Sequence, residues 1–175
     1  MMSSNEGAFY VSEIMFNRDR INTDNFRIFK CDMSSGRAVW RDLKPFDEIS
    51  DEDTADGRVL IVDSTKDDFR MEMEMEFSEI VPNEERSSLA KEIVSNLTFF
   101  DNEVQKFCED SCNEYFDKYP CLANPQNYCV GFPYFVEISP NELKFGYGGM
   151  FVNIEVRAFF KKEGENWIAT DFYWQ

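Results

Sequence analysis

The chain has 175 residues, with 34 Asp and Glu against 18 Lys and Arg for a formal net charge of −16, and it contains no histidine. A charge of that size repels nucleic-acid phosphates and anionic membranes and steers basic partners. Without histidine there is no Ser-His-Asp triad, no Cys-His nucleophile pair and no His-based metal site, so acid–base chemistry would fall to a retuned carboxylate, Cys, Lys or Tyr.

The length fits one domain, and eighteen Phe, seven Tyr and three Trp supply its core. Met1 to Tyr10 has no basic n-region, apolar h-region or small-residue cleavage site. No apolar run approaches the ~20 residues of a transmembrane helix. The expected compartment is the cytoplasm, where the five cysteines read as thiols.

Ala8 to Phe16 is an apolar run of strand length. Phe26 to Cys31 and Arg37 to Arg41, joined across Met33 to Gly36, read as a hairpin. Residues 42–57 follow with Asp42, Asp47, Glu48, Asp51, Glu52, Asp53 and Asp56 against Lys44 alone. That stretch predicts an exposed, mobile acidic loop with a short helical turn at Pro45 to Ile49. The spacing of its acids is a poor match to a calcium loop, because Ala55 falls at the fifth position and no glutamate follows at the required distance.

Arg58 to Asp63 is a β-branched apolar run that predicts a strand buried on both faces, and Ser64 to Asp67 predicts a turn. Arg70 to Phe77 alternates strictly, as a half-buried strand does. Met71, Met73, Met75 and Phe77 form a core wall. Glu72, Glu74 and Glu76 form a row of carboxylates ~7 Å apart.

From Asn83 the period changes. Leu89, Ile93, Leu97, Phe100, Val104, Phe107 or Cys108, Ser111 and Tyr115 recur at threes and fours, the stripe of an amphipathic helix. Asn83 is the expected cap and Pro120 the far limit. A break is expected within Asn96 to Asp101, with Thr98 or Asp101 restarting a second helix over Asn102 to Lys118.

Residues 120–133 read as an irregular connection. Strands then follow at Tyr134 to Ile138, Leu143 to Tyr147, Met150 to Lys162 and Trp167 to Trp174, a meander spanning about 133–174. Strands, then helices over about 83–119, then strands predict an α+β fold: an antiparallel sheet of N-terminal hairpins and a C-terminal four-stranded meander, with one long broken helix or two helices packed on one face.

Three groups of residues are candidates for chemistry or binding. Cys108, Cys112, Cys121 and Cys129 are spaced C-x3-C-x8-C-x7-C, which lacks the paired knuckles of common zinc modules. Structural thiols, a four-cysteine zinc site and a redox pair remain three readings of them. Glu72, Glu74 and Glu76 are either a solvated sheet face, a charge-protected edge strand or an interface for a basic partner. In the last meander, Asn153, Glu155, Arg157, Phe159 and Lys161 share a face that, with Tyr147 and Trp174, would form an aromatic-polar patch or lie under the helices. No acidic pair stands out as a hydrolytic pair.

Asp101-Asn-Glu-Val-Gln105 opening a helix, and Tyr147-Gly-Gly-Met-Phe-Val-Asn-Ile-Glu155 running into a strand, resemble a group of small acidic bacterial proteins of uncharacterised function. The resemblance spans roughly Glu84 to Tyr173. It departs at Gly148, where the group is expected to carry Trp, so a stacking aromatic is missing here. Some comparable acidic α+β proteins are immunity proteins that neutralise a toxin of neighbouring cells.

The expected function is therefore a non-catalytic acidic protein-binding module without a cofactor. Its partner would be a basic protein surface, such as a toxin domain, and neither nucleic acid nor membrane. The expected contacts are Glu72, Glu74, Glu76, Asp51, Glu52 and Asp53, then Tyr147, Asn153, Glu155 and Arg157. The alternative is a hydrolase or small-ligand binder using carboxylates, or a zinc protein built on the four cysteines.

Overall fold

The computed structural model describes residue 16 and residues 20–63, 71–122 and 124–175. The expected strand Ala8 to Phe16 (apart from Phe16 itself), the turn Ser64 to Asp67 and Arg70 lie outside the described residues. Among the described residues eight strands form one sheet in the order β2-β1-β3-β4-β5-β6-β7-β8. They are β1 Phe26–Asp32, β2 Val39–Pro45, β3 Arg58–Asp63, β4 Glu72–Phe77, β5 Val130–Ile138, β6 Glu142–Gly149, β7 Glu155–Glu163 and β8 Asn166–Trp174. Two helices, α1 Asn83–Ser95 and α2 Leu97–Lys118, separate β4 from β5.

The expected α+β architecture is present, with both hairpins and the meander in place. One pairing is parallel: β4 lies beside β5, Glu74 opposite Phe135 and Phe77 opposite Ile138. A parallel neighbour needs a crossover to carry the chain back to the same end, and α1 and α2 are that crossover. The pairing fuses the N-terminal hairpins and the C-terminal meander into one sheet.

The methionine wall faces the helices. Met71, Met73, Met75 and Phe77 are buried, each contributing about 1.5–3 kcal/mol of burial. Ala90, Ile93, Leu97, Phe100, Val104 and Cys108 close over the sheet from above. Phe100 is the hub, with ring centroids 4.7 Å from Phe160, 5.1 Å from Phe145 and 6.1 Å from Trp167.

Several local boundaries differ from the pattern. The helix break falls at Asn96, before the expected restart. The Asn96 amide donates to the carbonyls of Glu92 and Ile93, and its side-chain amide also donates to Glu92, so it ends α1 and begins α2. Asn83 is already inside α1, behind Pro82, and makes no capping hydrogen bond. β7 starts at Glu155 and not at Met150, because Gly149 turns back on Ile154 with a 2.7 Å backbone hydrogen bond. A Cβ on Gly149 would lie 2.3 Å from the Val152 carbonyl oxygen, so a side chain does not fit there. Leu60, read as buried, is only half-buried on β3.

The acidic stretch 42–57 is more ordered than its composition suggests. Asp42 to Pro45 belong to β2, and the expected helical turn is present at Phe46–Glu48. β2 and β3 lie on opposite sides of β1, so the segment between them must cross β1. Phe46, Ile49 and Thr54 are buried in doing so. Buried Arg86 of α1 ties the segment down, donating to the carbonyls of Thr54 and Ala55 at 3.2 Å each and to that of Val81.

Candidate functional site: the helix-free face of the sheet

The sheet period of two sends alternate residues away from the helices. On β4 these are Glu72, Glu74 and Glu76; on β7 they are Glu155, Arg157, Phe159 and Lys161. Pairing aligns them across the sheet. One row runs Leu60, Glu74, Phe135, Gly146, Arg157, Tyr173. The next runs Arg58, Glu76, Glu137, Lys144, Phe159, Asp171. Among the described residues no helix covers this face. Two sets of residues that the sequence left apart, the glutamate row and the Glu155–Arg157 pair, thus share one surface.

Its acidic half lies on β4 and β5. Arg58 sits 3.4 Å from Glu74 and 3.8 Å from Glu76, and Lys144 sits 3.1 Å from Glu137. Glu72 has no ion pair among the described residues. The side chains of Arg58 and Glu76 are more than half exposed, so water screens these pairs and each is worth about 0–1 kcal/mol. β4 is central in the sheet, so its charges do not protect an edge.

The other half is built around Arg157. Its guanidinium donates to Glu155 at 2.6 Å, to the Tyr134 hydroxyl at 3.1 Å and to the Gln175 side chain at 3.0 Å. It also lies 4.6 Å from the centroid of the Phe135 ring, a cation–π distance. Gly146 makes the space: a Cβ there would lie 2.1 Å from the Phe135 ring and 2.4 Å from Arg157 Nη1. Phe159 and Tyr173 stack beside this cluster with centroids 5.7 Å apart. Tyr134 and Tyr173 are exposed. An open aromatic-polar patch is present, made by Tyr134, Phe135, Phe159 and Tyr173.

Two expected members of that patch lie on the other side. Tyr147 is completely buried, so it is not part of the exposed patch. Burial, and then the charge of Asp101, push its phenol well above the usual value. Trp174 faces α2, where it packs on Phe107 and its indole N–H donates to Ser111. Asn153 is exposed, in the loop before β7. Gly148 has open space among the described residues where a Cβ would be, at the position where the resembling proteins were expected to carry Trp.

The acidic loop is the second acidic region. Asp51 accepts a hydrogen bond from Ser87 of α1, and Glu52 is exposed. Asp53 turns inward, correcting its expected exposure. It accepts from the amide and hydroxyl of Ser50 and pairs with Lys44 at 2.6 Å. Burial works against its charge, but Lys44 and Ser50 outweigh it and hold the carboxyl below its ordinary value. Among the described residues no hydrogen bond or ion pair joins these acids to the glutamate row, although Asp53 and Glu74 line one groove with Arg58 and Leu60.

Three of the four cysteines are neighbours: the charge of Cys129 acts on Cys108, and that of Cys112 on Cys129. Cys108, Cys112 and Cys129 are buried and Cys121 is exposed. Among the described residues no three His, Cys, Asp or Glu are grouped to hold a metal ion. Burial raises the Cys108 and Cys112 thiols and pushes Cys129 up to about 11, which keeps them protonated at neutral pH. The region around Cys108 holds instead a buried ion pair that the sequence did not reveal. Arg20 Nη2 donates to Asp101 Oδ1 at 2.7 Å, and Arg20 Nε donates to Asp101 Oδ2 at 2.8 Å. Its remaining donors reach the carbonyls of Val130 and Gly131. Gln105 also donates to Asp101. With every Arg20 nitrogen engaged and the Asp101 side chain 1% exposed, the cluster is built to hold α2 on β5.

Among the described residues no helix is long and apolar enough to cross a membrane. No family model, curated protein or solved structure matches the chain.

Proposed function

We propose that this protein is a non-catalytic binding module whose helix-free sheet face covers a basic surface of another protein. The observation that carries this reading is the single broad face that combines the Glu72–Glu74–Glu76 row with the Arg157 cluster and its exposed tyrosines. A row of carboxylates supplies steering and orientation, while Tyr and Arg are the residue types that dominate binding energy at interfaces. The weak ion pairs of Arg58 and Lys144 are readily exchanged for a partner's Lys or Arg. An immunity protein that neutralises a basic toxin domain is the biological form this activity takes, in line with the resemblance of Glu84 to Tyr173 to small acidic bacterial proteins.

The test is affinity capture from extracts of the source cells, comparing the wild-type chain with the E72K/E74K/E76K variant and identifying the captured proteins by mass spectrometry. The expected result is a basic protein retained by the wild type at low salt, released as salt rises, and lost from the variant. Identical capture profiles for the two chains would contradict the proposal.

A further inference from the structure

Among the described residues β2 and β8 are the two edges of the sheet, and they are built differently. β8 has one face packed, with Phe172 stacked 5.2 Å from Phe107 of α2 and Trp174 against Tyr128 of the connection to β5. β2 has five consecutive exposed residues, Val39 to Leu43. Trp40 is 52% exposed, and Val39, Leu43 and Met33 of the adjoining turn are exposed as well. An edge strand offers unpaired backbone donors and acceptors, and apolar side chains on it make it a template for another strand.

The charge of the β1–β2 hairpin opposes that of the whole molecule, and the acids Asp53, Asp56 and Glu74 border Trp40 and Leu43 on one side only. From Phe26 to Pro45 there are five basic residues (Arg27, Lys30, Arg37, Arg41, Lys44) and two acidic ones (Asp32, Asp42), a net of +3 within a chain of −16. Arg27 holds Asp42, Lys30 reaches Asp56, and Lys44 holds Asp53. Arg41 pairs with Asp32 through a guanidinium that stays 66% exposed, and Arg37 has no ion pair among the described residues. Arg37 and Arg41 therefore flank Val39 and Trp40 with accessible positive charge.

We propose that β2 receives an extended acidic segment of a partner protein as a ninth strand. Its backbone pairs with β2, its apolar side chains on one face lie on Trp40, and its carboxylates on the other face meet Arg37 and Arg41. A second copy of this chain would set basic edge against basic edge. A nucleic acid would meet the repulsion of the net charge.

The test uses the full-length chain and two acetylated nine-residue peptides, one alternating Glu with Val and one alternating Lys with Val. Amide hydrogen exchange is read at Val39 to Leu43. The acidic peptide is expected to slow exchange there about tenfold, and the Lys peptide to leave it unchanged. The R37E/R41E variant should lose the effect. If it does not fold, W40A should weaken the effect instead. The proposal is overturned by any of four results: no slowing with the acidic peptide, equal slowing with the Lys peptide or a single-stranded oligonucleotide, slow exchange in the free chain of the β2 amides that point away from β1, or a dimer by light scattering.

Discussion

The two ends of the sheet solve the same covering problem with different materials. At the C-terminal end α2 lays an aromatic stripe on β6 and β7, and Phe100 contacts Phe145, Phe160 and Trp167. At the N-terminal end an acidic segment crosses β1, with Phe46 and Ile49 as its buried side chains and hydrogen bonds from Arg86 to fix it. The first cover is held by burial of large surfaces and the second by a few polar anchors. Stability and binding should accordingly respond differently at the two ends.

The largest effect should come from the seam between α2 and β5. R20M leaves the Asp101 carboxylate buried without its cation, which should cost about 3–5 kcal/mol in urea unfolding. The R20M/D101L double variant should recover most of that loss, since the penalty comes from the orphaned charge. F100A, at the aromatic hub, should cost about 3–5 kcal/mol by emptying the centre of the core. Neither change alters the helix-free face.

At the other end the effects should be smaller. R86A removes the donors that satisfy the Thr54, Ala55 and Val81 carbonyls and should cost about 2 kcal/mol. Hydrogen exchange should show the loss confined first to residues 46–57. D53N should cost about 0.5–1 kcal/mol at pH 7. The sign of its pH dependence follows from the depressed carboxyl of Asp53. Its stabilisation is complete above the ordinary Asp value of about 3.9 and disappears as pH falls through the lower folded value. The gap between wild type and D53N should therefore be constant from pH 7 to 5 and close toward pH 2. The smallest stability effect belongs to E72K/E74K/E76K, within about 0.5 kcal/mol of wild type, although its effect on partner capture should be the largest of all.

The periodic parts of this fold were legible in the sequence. Met71 to Phe77 alternates because a half-buried strand must, and the Leu89 to Tyr115 stripe repeats because a helix buries one side. The parallel pairing of β4 with β5 was not legible, because register between strands more than fifty residues apart leaves no local pattern. That pairing is what unites Glu74, Phe135, Gly146 and Arg157, so the candidate face was visible only in pieces. Tyr147 was misplaced for a different reason. Alternation within the expected strand Leu143 to Tyr147 already sets Tyr147 on the face of Leu143 and Phe145, inside, and grouping it with the polar patch ignored that period. Asp53 was misread because composition reports charge and not the Lys44 and Ser50 groups waiting for it.

The central claim is that the face away from the helices meets the partner. The most direct test places a photo-cross-linking residue at Glu74 on that face and, in a second chain, at exposed Asp110 on α2, then irradiates the source cells. The claim predicts a covalent adduct with a basic protein from position 74 and none from position 110. Adducts from position 110 alone, with position 74 silent, would contradict it.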